Sequence, residues 1–232
     1  MSVLVHPQAA ETELRRGELR TALSQDRIMA ILRYRDGGDI GAAIEGLSRG
    51  GVRVLEVTVD TPGCWEAIES ATQRPGLVVG AGTVTEIEQV RRVAHCGGQF
   101  IVSPGFDASV VRAALEHGLE VLPGVATGSE VLAARRSGAQ FFKLFPAGGL
   151  GRQYLEELKG PFIRESFVPT GGVGIDDTAG WLAAGAFAVA IGSDLVGRTP
   201  PRSVDDIERL CVRARTALTQ AAHHGPASDV GA

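Results

Sequence analysis

Three features of the 232-residue chain predict an α/β fold, a TIM-type (β/α)8 barrel with an extra N-terminal helix. Eight short runs rich in β-branched and aromatic residues recur: IMAILR from Ile28, VRVLEVTV from Val52, LVVGAGT from Leu77, FIVSPG from Phe100, EVLPG from Glu120, FFKLFP from Phe141, SFVPTGG from Ser166 and FAVAIGS from Phe187. Their starts lie roughly 19 to 26 residues apart, the length of one strand-plus-helix unit. The runs are nearly continuously apolar, as in a parallel sheet covered on both faces. The segments between them have helical periodicity with start and stop signals. An open doubly wound sheet would usually place a G-x-G-x-x-G turn after its first strand, where RYRDGGDI stands.

In chain order, MSVLVHPQAAETELRRGELR lacks the long apolar stretch of a signal peptide, because Pro7 and then acidic residues interrupt it. A helix from about Ala10 to Asp26 is expected to cover the bottom of the barrel. Thr85-x-x-Glu88 and Asp107 read as helix starts, and the glycines of RGG, HCGG, EHG and RSG read as helix stops before the next strand. No linker or composition shift divides the chain, so one domain is expected over residues 1–232. Its barrel is placed at about 28–222, with a disordered tail, HHGPASDVGA, at about 223–232.

A hydrophobic content of 44%, a net charge of -4 and a pI near 5.8 give no electrostatic footprint for nucleic acid or an anionic membrane. A small-molecule partner is expected. Cys64, Cys96 and Cys211 are widely spaced and odd in number, which fits a reducing cytoplasm better than a disulfide framework. His6, His95, His117, His223 and His224 show no ligand spacing apart from the adjacent pair in the tail, so no metal site is predicted.

In such barrels the polar residues at the C-terminal strand ends carry the chemistry. Here these are Arg33; Glu56 and Thr58; Gly80-Ala81-Gly82-Thr83; Ser103-Pro104-Gly105; Lys143 with Phe145 beyond it; Thr170-Gly171-Gly172; and Gly192-Ser193. Lys143 and Lys159 are the only lysines among 23 basic residues. In LEELKGP, Lys159 reads as the end of a solvated helix. Lys143 instead sits mid-strand among phenylalanines, and strand alternation points Phe141, Lys143 and Phe145 to one side. A lysine stem packed on apolar neighbours with its head snorkelling to water is the ordinary alternative, but a barrel interior leaves little room for it. A desolvated amine loses its proton more easily and becomes a nucleophile toward carbonyls, which a guanidinium cannot do.

By the same alternation Val54, Glu56 and Thr58 share a face, aiming Glu56 inward as a general acid and base or as an ion-pair partner of Lys143 or Arg33. Glycine turns after the seventh and eighth strands, PTGGVG and IGS, suit a phosphate or another anion held by backbone N–H groups. Any tight turn would also use glycine.

Together GGVRVLEVT, VVGAGTVT, FIVSPG, FFKLFPA, KGPF and FVPTGGV resemble the bacterial 2-keto-3-deoxy-6-phosphogluconate (KDPG) and phosphogalactonate aldolases, a family that includes 4-hydroxy-2-oxoglutarate (KHG) aldolases. The likeness runs from about Ile28 to Leu195. It implies a metal-free, cofactor-free class I aldolase in which Lys143 forms the pyruvate Schiff base and Glu56 shuttles protons. It further implies that Thr83 binds the pyruvate end, that the backbone around Gly171, Gly172, Gly192 and Ser193 holds the phosphate, and that the protein is a homotrimer. Many members carry an arginine four positions after the glutamate, where this chain has Asp60. Other members place an arginine at the end of the first strand, and Arg33 stands there, so carboxylate binding is assigned to Arg33. An Arg33–Asp60 surface pair is the competing reading. Pro104, Phe145 and Thr170 complete the candidate substrate-binding set. A sugar-phosphate isomerase or epimerase would share the glycine loops without needing the buried amine, and a non-catalytic binding barrel would not need the polar strand ends.

Overall fold

The computed structural model describes residues 17–223. The first half of the expected N-terminal helix and, beyond His223, the expected tail lie outside the described residues. Helix α1 (Glu18–Asp26) leads into β1 (Ile28–Leu32), α2 (Ile40–Arg49), β2 (Val54–Thr58), α3 (Cys64–Thr72), β3 (Val78–Gly82), α4 (Ile87–His95), β4 (Phe100–Val102) and α5 (Ala108–Glu116). There follow β5 (Glu120–Leu122), β6 (Gly124–Val125), α6 (Gly128–Arg136), β7 (Phe141–Leu144), α7 (Ala147–Leu150), α8 (Arg152–Lys159), β8 (Ser166–Pro169), α9 (Thr178–Ala183), β9 (Val189–Ile191), α10 (Ser193–Val196) and α11 (Val204–Ala222).

The strands form a curled, parallel ring. One sheet runs β5-β4-β3-β2-β1-β9 and the other β6-β7-β8. A bridge between Thr170 and Ala190, with the Phe187 N–H donating to the Phe167 carbonyl at 2.8 Å, joins β8 to β9. The fifth expected strand is broken at Pro123, which has no N–H to give to a ladder, so EVLPG and the residues after it become β5 and β6. Across the break the Pro123 carbonyl still accepts from the Lys143 N–H at 3.0 Å.

Local signals set the helices. Asp107 Oδ1 accepts from the Ser109 and Val110 N–H groups, capping α5 as expected. Helix α4 starts at Ile87, and Gln89 Oε1 accepts from the N–H groups of Thr85 and Glu86. The Thr85-x-x-Glu88 reading was therefore one residue early. Gly97 (φ +76°) and Gly138 (φ +98°) follow α4 and α6 in the left-handed region, where a Cβ would be strained.

Alternate residues of each strand divide between two cores. Leu32, Leu55, Val57, Phe142 and Leu144 face the helices, whereas Met29, Val54, Val78, Phe100 and Phe141 face inward. The first residues of β2, β3, β4 and β7 meet Leu19, Ala22 and Leu23 of α1. That helix therefore closes the bottom of the barrel, as the sequence leads one to expect. Arg20 lies over the Phe141 ring at 4.7 Å from its centroid, covering the plug from outside. Among the described residues no helix is long and apolar enough to cross a membrane.

Candidate active site

At the opposite end, where the strands finish, a cavity of about 950 Å³ opens. Lys143, Glu56, Arg33, Thr83, Pro104, Phe145, Thr170, Gly171, Gly172, Gly192 and Ser193 all line it, whereas Thr58 and Ser103 do not: Thr58 Oγ1 lies 3.0 Å from Thr61 Oγ1, and Ser103 Oγ donates to the Gly105 carbonyl at 2.7 Å. Sequence reasoning missed Ile31, Arg35, Asp36, Val173, Gly174, Asp177, Asp194 and Arg198. Ile31 could have been found from its inward register beside Glu56, and Val173 and Gly174 from their place in PTGGVG. Nothing local marks the loop charges.

The alternation on β7 carries the lysine to the centre. Phe141 is in the lower plug, Lys143 is 4% exposed one pleat higher, and Phe145 stands at the mouth. The Lys143 Nζ lies 5.0 Å from the Phe145 ring centroid. On β2, Glu56 is completely buried, and among the described residues neither carboxylate oxygen has a hydrogen-bond partner.

Burial pushes the Glu56 carboxyl above the ordinary carboxylate range; the positive charges of Lys143 and Arg33 oppose this, and Asp60 adds to it. Burial likewise pushes the Lys143 amine below the ordinary lysine value, opposed by Glu56 and aided by Arg33. The two directions agree, because the interior favours a neutral amine beside a neutral acid. Lys159 differs. It is half-buried, not solvated as its helix-end position implied, and its Nζ donates to the Ile163 and Glu165 carbonyls at 3.1 and 3.3 Å. It is not among the cavity-lining residues.

Arg33 reaches both the cavity and Asp60. Its Nη2 donates to Thr83 Oγ1 at 2.6 Å, inside the cavity, while its Nε lies 3.6 Å from Asp60 Oδ1. Asp60 does not itself line the cavity. Thr83 adopts φ +62°, a strained conformation for a β-branched residue that costs about 1–3 kcal/mol and marks functional sites. It presents a hydroxyl beside the guanidinium.

The glycine turns face the same space. The Gly148 N–H donates to the Gly171 carbonyl at 2.8 Å and the Ala147 N–H to the Thr170 carbonyl at 2.9 Å, tying the chain after β7 to that after β8. Asp194 Oδ2 accepts from the Ile175 N–H at 2.7 Å and so ties the turn after β9 to the same loop. Among the described residues no cluster of three or more His, Cys, Asp or Glu side chains could hold a metal ion.

A family model described as KDPG and KHG aldolase matches residues 19–210. The 2-dehydro-3-deoxy-phosphogluconate aldolase of Dickeya dadantii is 38% identical over 177 residues, covering 75% of this chain and 83% of the relative. A structure of native KDPGal superposes with a TM-score of 0.77 at 30% identity, over 85% of this chain and 95% of that one. The Legionella pneumophila KDPG aldolase, with pyruvate captured at low pH as a covalent carbinolamine intermediate, gives a TM-score of 0.70 at 26% identity, over 89% and 97% of the two chains. With a buried amine and a buried carboxyl opening on one cavity at the strand ends of a parallel barrel, and with these likenesses, the chain belongs to the KDPG and KHG aldolase family.

Proposed function

We propose that this aldolase cleaves a 2-keto-3-deoxy-6-phospho sugar acid such as KDPG into pyruvate and an aldehyde such as glyceraldehyde 3-phosphate, through a Schiff base on Lys143. The observation that carries this reading is the shared burial of Lys143 and Glu56, which favours a neutral amine beside a proton-carrying carboxyl. The carbinolamine captured in the Legionella relative supports it.

The Lys143 amine adds to the C2 ketone, Glu56 gives its proton to the carbinolamine hydroxyl, and that hydroxyl leaves as water, so that an iminium remains beside a Glu56 carboxylate. The fixed positive charge of the iminium replaces a neutral amine and favours that carboxylate form. Glu56 then takes the proton of the C4 hydroxyl. The C3–C4 electron pair moves into the iminium, the aldehyde leaves, and an enamine remains. Glu56 returns its proton to C3, and water hydrolyses the new iminium to free pyruvate and Lys143.

Arg33 and the Thr83 hydroxyl hold the pyruvate carboxylate, and Pro104, Phe145 and Thr170 wall the reacting carbons. The backbone around Gly171, Gly172, Gly192 and Ser193 takes the 6-phosphate, with Arg35 and Arg198 adding positive charge at the same mouth. We further propose a single-domain homotrimer working in the cytoplasm. The family resemblance supports the trimer, and the three buried free thiols fit a reducing compartment. A sugar-phosphate isomerase reading is not favoured, because it leaves the buried amine without a task.

The test is to trap the iminium. Pyruvate with borohydride should add one reduced pyruvyl group per chain, found on Lys143 by peptide mass spectrometry. Lys143→Arg should lose both the adduct and turnover, because a guanidinium cannot act as a neutral amine nucleophile. An adduct on Lys159, or normal turnover in the variant, would refute the mechanism.

A further inference from the structure

The inward positions of β3 are Val78, Gly80 and Gly82, and the two glycines are empty for different reasons. A Cβ on Gly80 would lie 2.3 Å from the Phe100 carbonyl oxygen and 2.5 Å from its ring, so backbone and plug both exclude it. A Cβ on Gly82 would lie 1.8 Å from Glu56 Oε1, 2.5 Å from its Cδ and 2.7 Å from its Cγ. Its three nearest obstacles therefore all belong to one side chain. Gly82 is not among the glycines with positive φ, so its backbone does not require glycine either.

We propose that Gly82 is a positioning residue: the space left by its missing side chain is the seat of the Glu56 carboxylate. This rests on the reading of Glu56 as the proton shuttle and adds what holds that group in place. The seat explains how a carboxyl with no hydrogen-bond partner among the described residues keeps one position. The charged groups that act on it are Lys143 from β7, Arg33 beyond β1 and Asp60 beyond β2, while β3 contributes only the vacancy. A methyl group at position 82 takes this space from the carboxylate, and the cavity that Glu56 already lines is open to it. Hydration there lowers the carboxyl back toward its ordinary range and moves it off its productive line.

Gly82→Ala should lower kcat about 10- to 100-fold, part of the roughly 10²–10⁴-fold that acid–base catalysis supplies, while KM changes less than about threefold. The acidic limb of the kcat profile should move to lower pH. Glu56→Ala removes Cγ, Cδ and both carboxylate oxygens, the atoms that a Cβ on Gly82 would meet, so Glu56→Ala/Gly82→Ala should be no slower than Glu56→Ala alone. Should Gly82→Ala fail to fold, the double variant should still fold, since the clash is with Glu56. A double variant that is unfolded, or whose losses multiply, overturns the proposal. So does a Gly82→Ala enzyme with wild-type kcat and pH profile while Glu56→Gln is slow. Wild-type kcat in Glu56→Gln would instead refute the proton-shuttle reading itself.

Discussion

On β2 the inward face carries Val54 and then Glu56; on β7 it carries Phe141 and then Lys143. In each case one pleat separates an apolar side chain in the plug from an ionisable one in the site. At the lower end Phe100 and Phe141 are almost fully buried, Phe141 and Phe187 pack as a tilted pair with centroids 5.7 Å apart, and Leu19 and Leu23 of α1 seal the opening. Each large apolar side chain removed from water there contributes about 1.5–3 kcal/mol. At the upper end the walls meet a cavity, and burial works against the charged forms of Lys143 and Glu56. The same low-polarity interior thus stabilises one end and makes the other reactive. Among the described residues, the plug fills the lower end and the cavity opens at the upper one.

If this division holds, damage to the plug should appear as instability, not slow chemistry. Phe100→Ala should cost about 3–5 kcal/mol, a fall in Tm of about 6–20 °C, while kcat/KM measured well below the transition stays within about threefold of wild type. A larger kinetic loss in a thermally intact variant would break the comparison. Arg33→Lys tests the opposite expectation at the mouth. Losing the planar fork should lower kcat/KM about 10- to 100-fold, mainly through KM, in line with about 1.5–3 kcal/mol for a charged hydrogen bond. Tm should hardly move, because the exposed Arg33–Asp60 pair is worth little. Unchanged kinetics would remove Arg33 from substrate binding.

The smallest expected effect has the opposite sign. Replacing both buried ionisable groups, as Glu56→Met/Lys143→Met, should abolish activity and raise stability by about 1 kcal/mol, or about 2–4 °C in Tm. The single variants sharpen this, since their pH dependences run in opposite directions. The folded state raises the Glu56 carboxyl above its ordinary 4.5, so the stability gained in Glu56→Met grows as pH rises above that value. It lowers the Lys143 amine below 10.5, so the gain in Lys143→Met is full at low pH and fades as pH rises toward 10.5. Denaturant titrations across pH would show both slopes.

The inward aim of Lys143 and Glu56 was legible because strand alternation is a strict local rule, and a parallel barrel turns that rule into a position. The approach of the Glu56 carboxylate to Gly82 was not legible, because it depends on how β3 lies beside β2: Glu56 is paired with Gly80, and its side chain reaches one pleat further to Gly82. Arg35 and Arg198, on turns, and Asp194, in the four-residue α10, escaped notice for a related reason: no periodicity reports the direction of such short segments. The half-burial of Lys159 arises from chain beyond its helix, where Ile163 and Glu165 return their carbonyls to its amine. Pro123 was visible in EVLPG, but that a single prolyl residue would divide a strand between two sheets was not read from it.

The break at Pro123 has a consequence for how such a protein can vary. The six-stranded sheet carries Glu56 and leads directly to Arg33, Thr83 and Ser193, whereas the three-stranded sheet carries Lys143 and leads to Phe145, Gly171 and Gly172. Neither half owns a complete reaction. On the proposed mechanism, a fragment with only one sheet would keep Lys143 without Glu56, or the reverse. On the proposed reading the turns that meet the pyruvate carboxylate belong to the larger sheet alone, whereas the glycine turns for the phosphate are split between the two sheets, so a change of acceptor aldehyde draws on both.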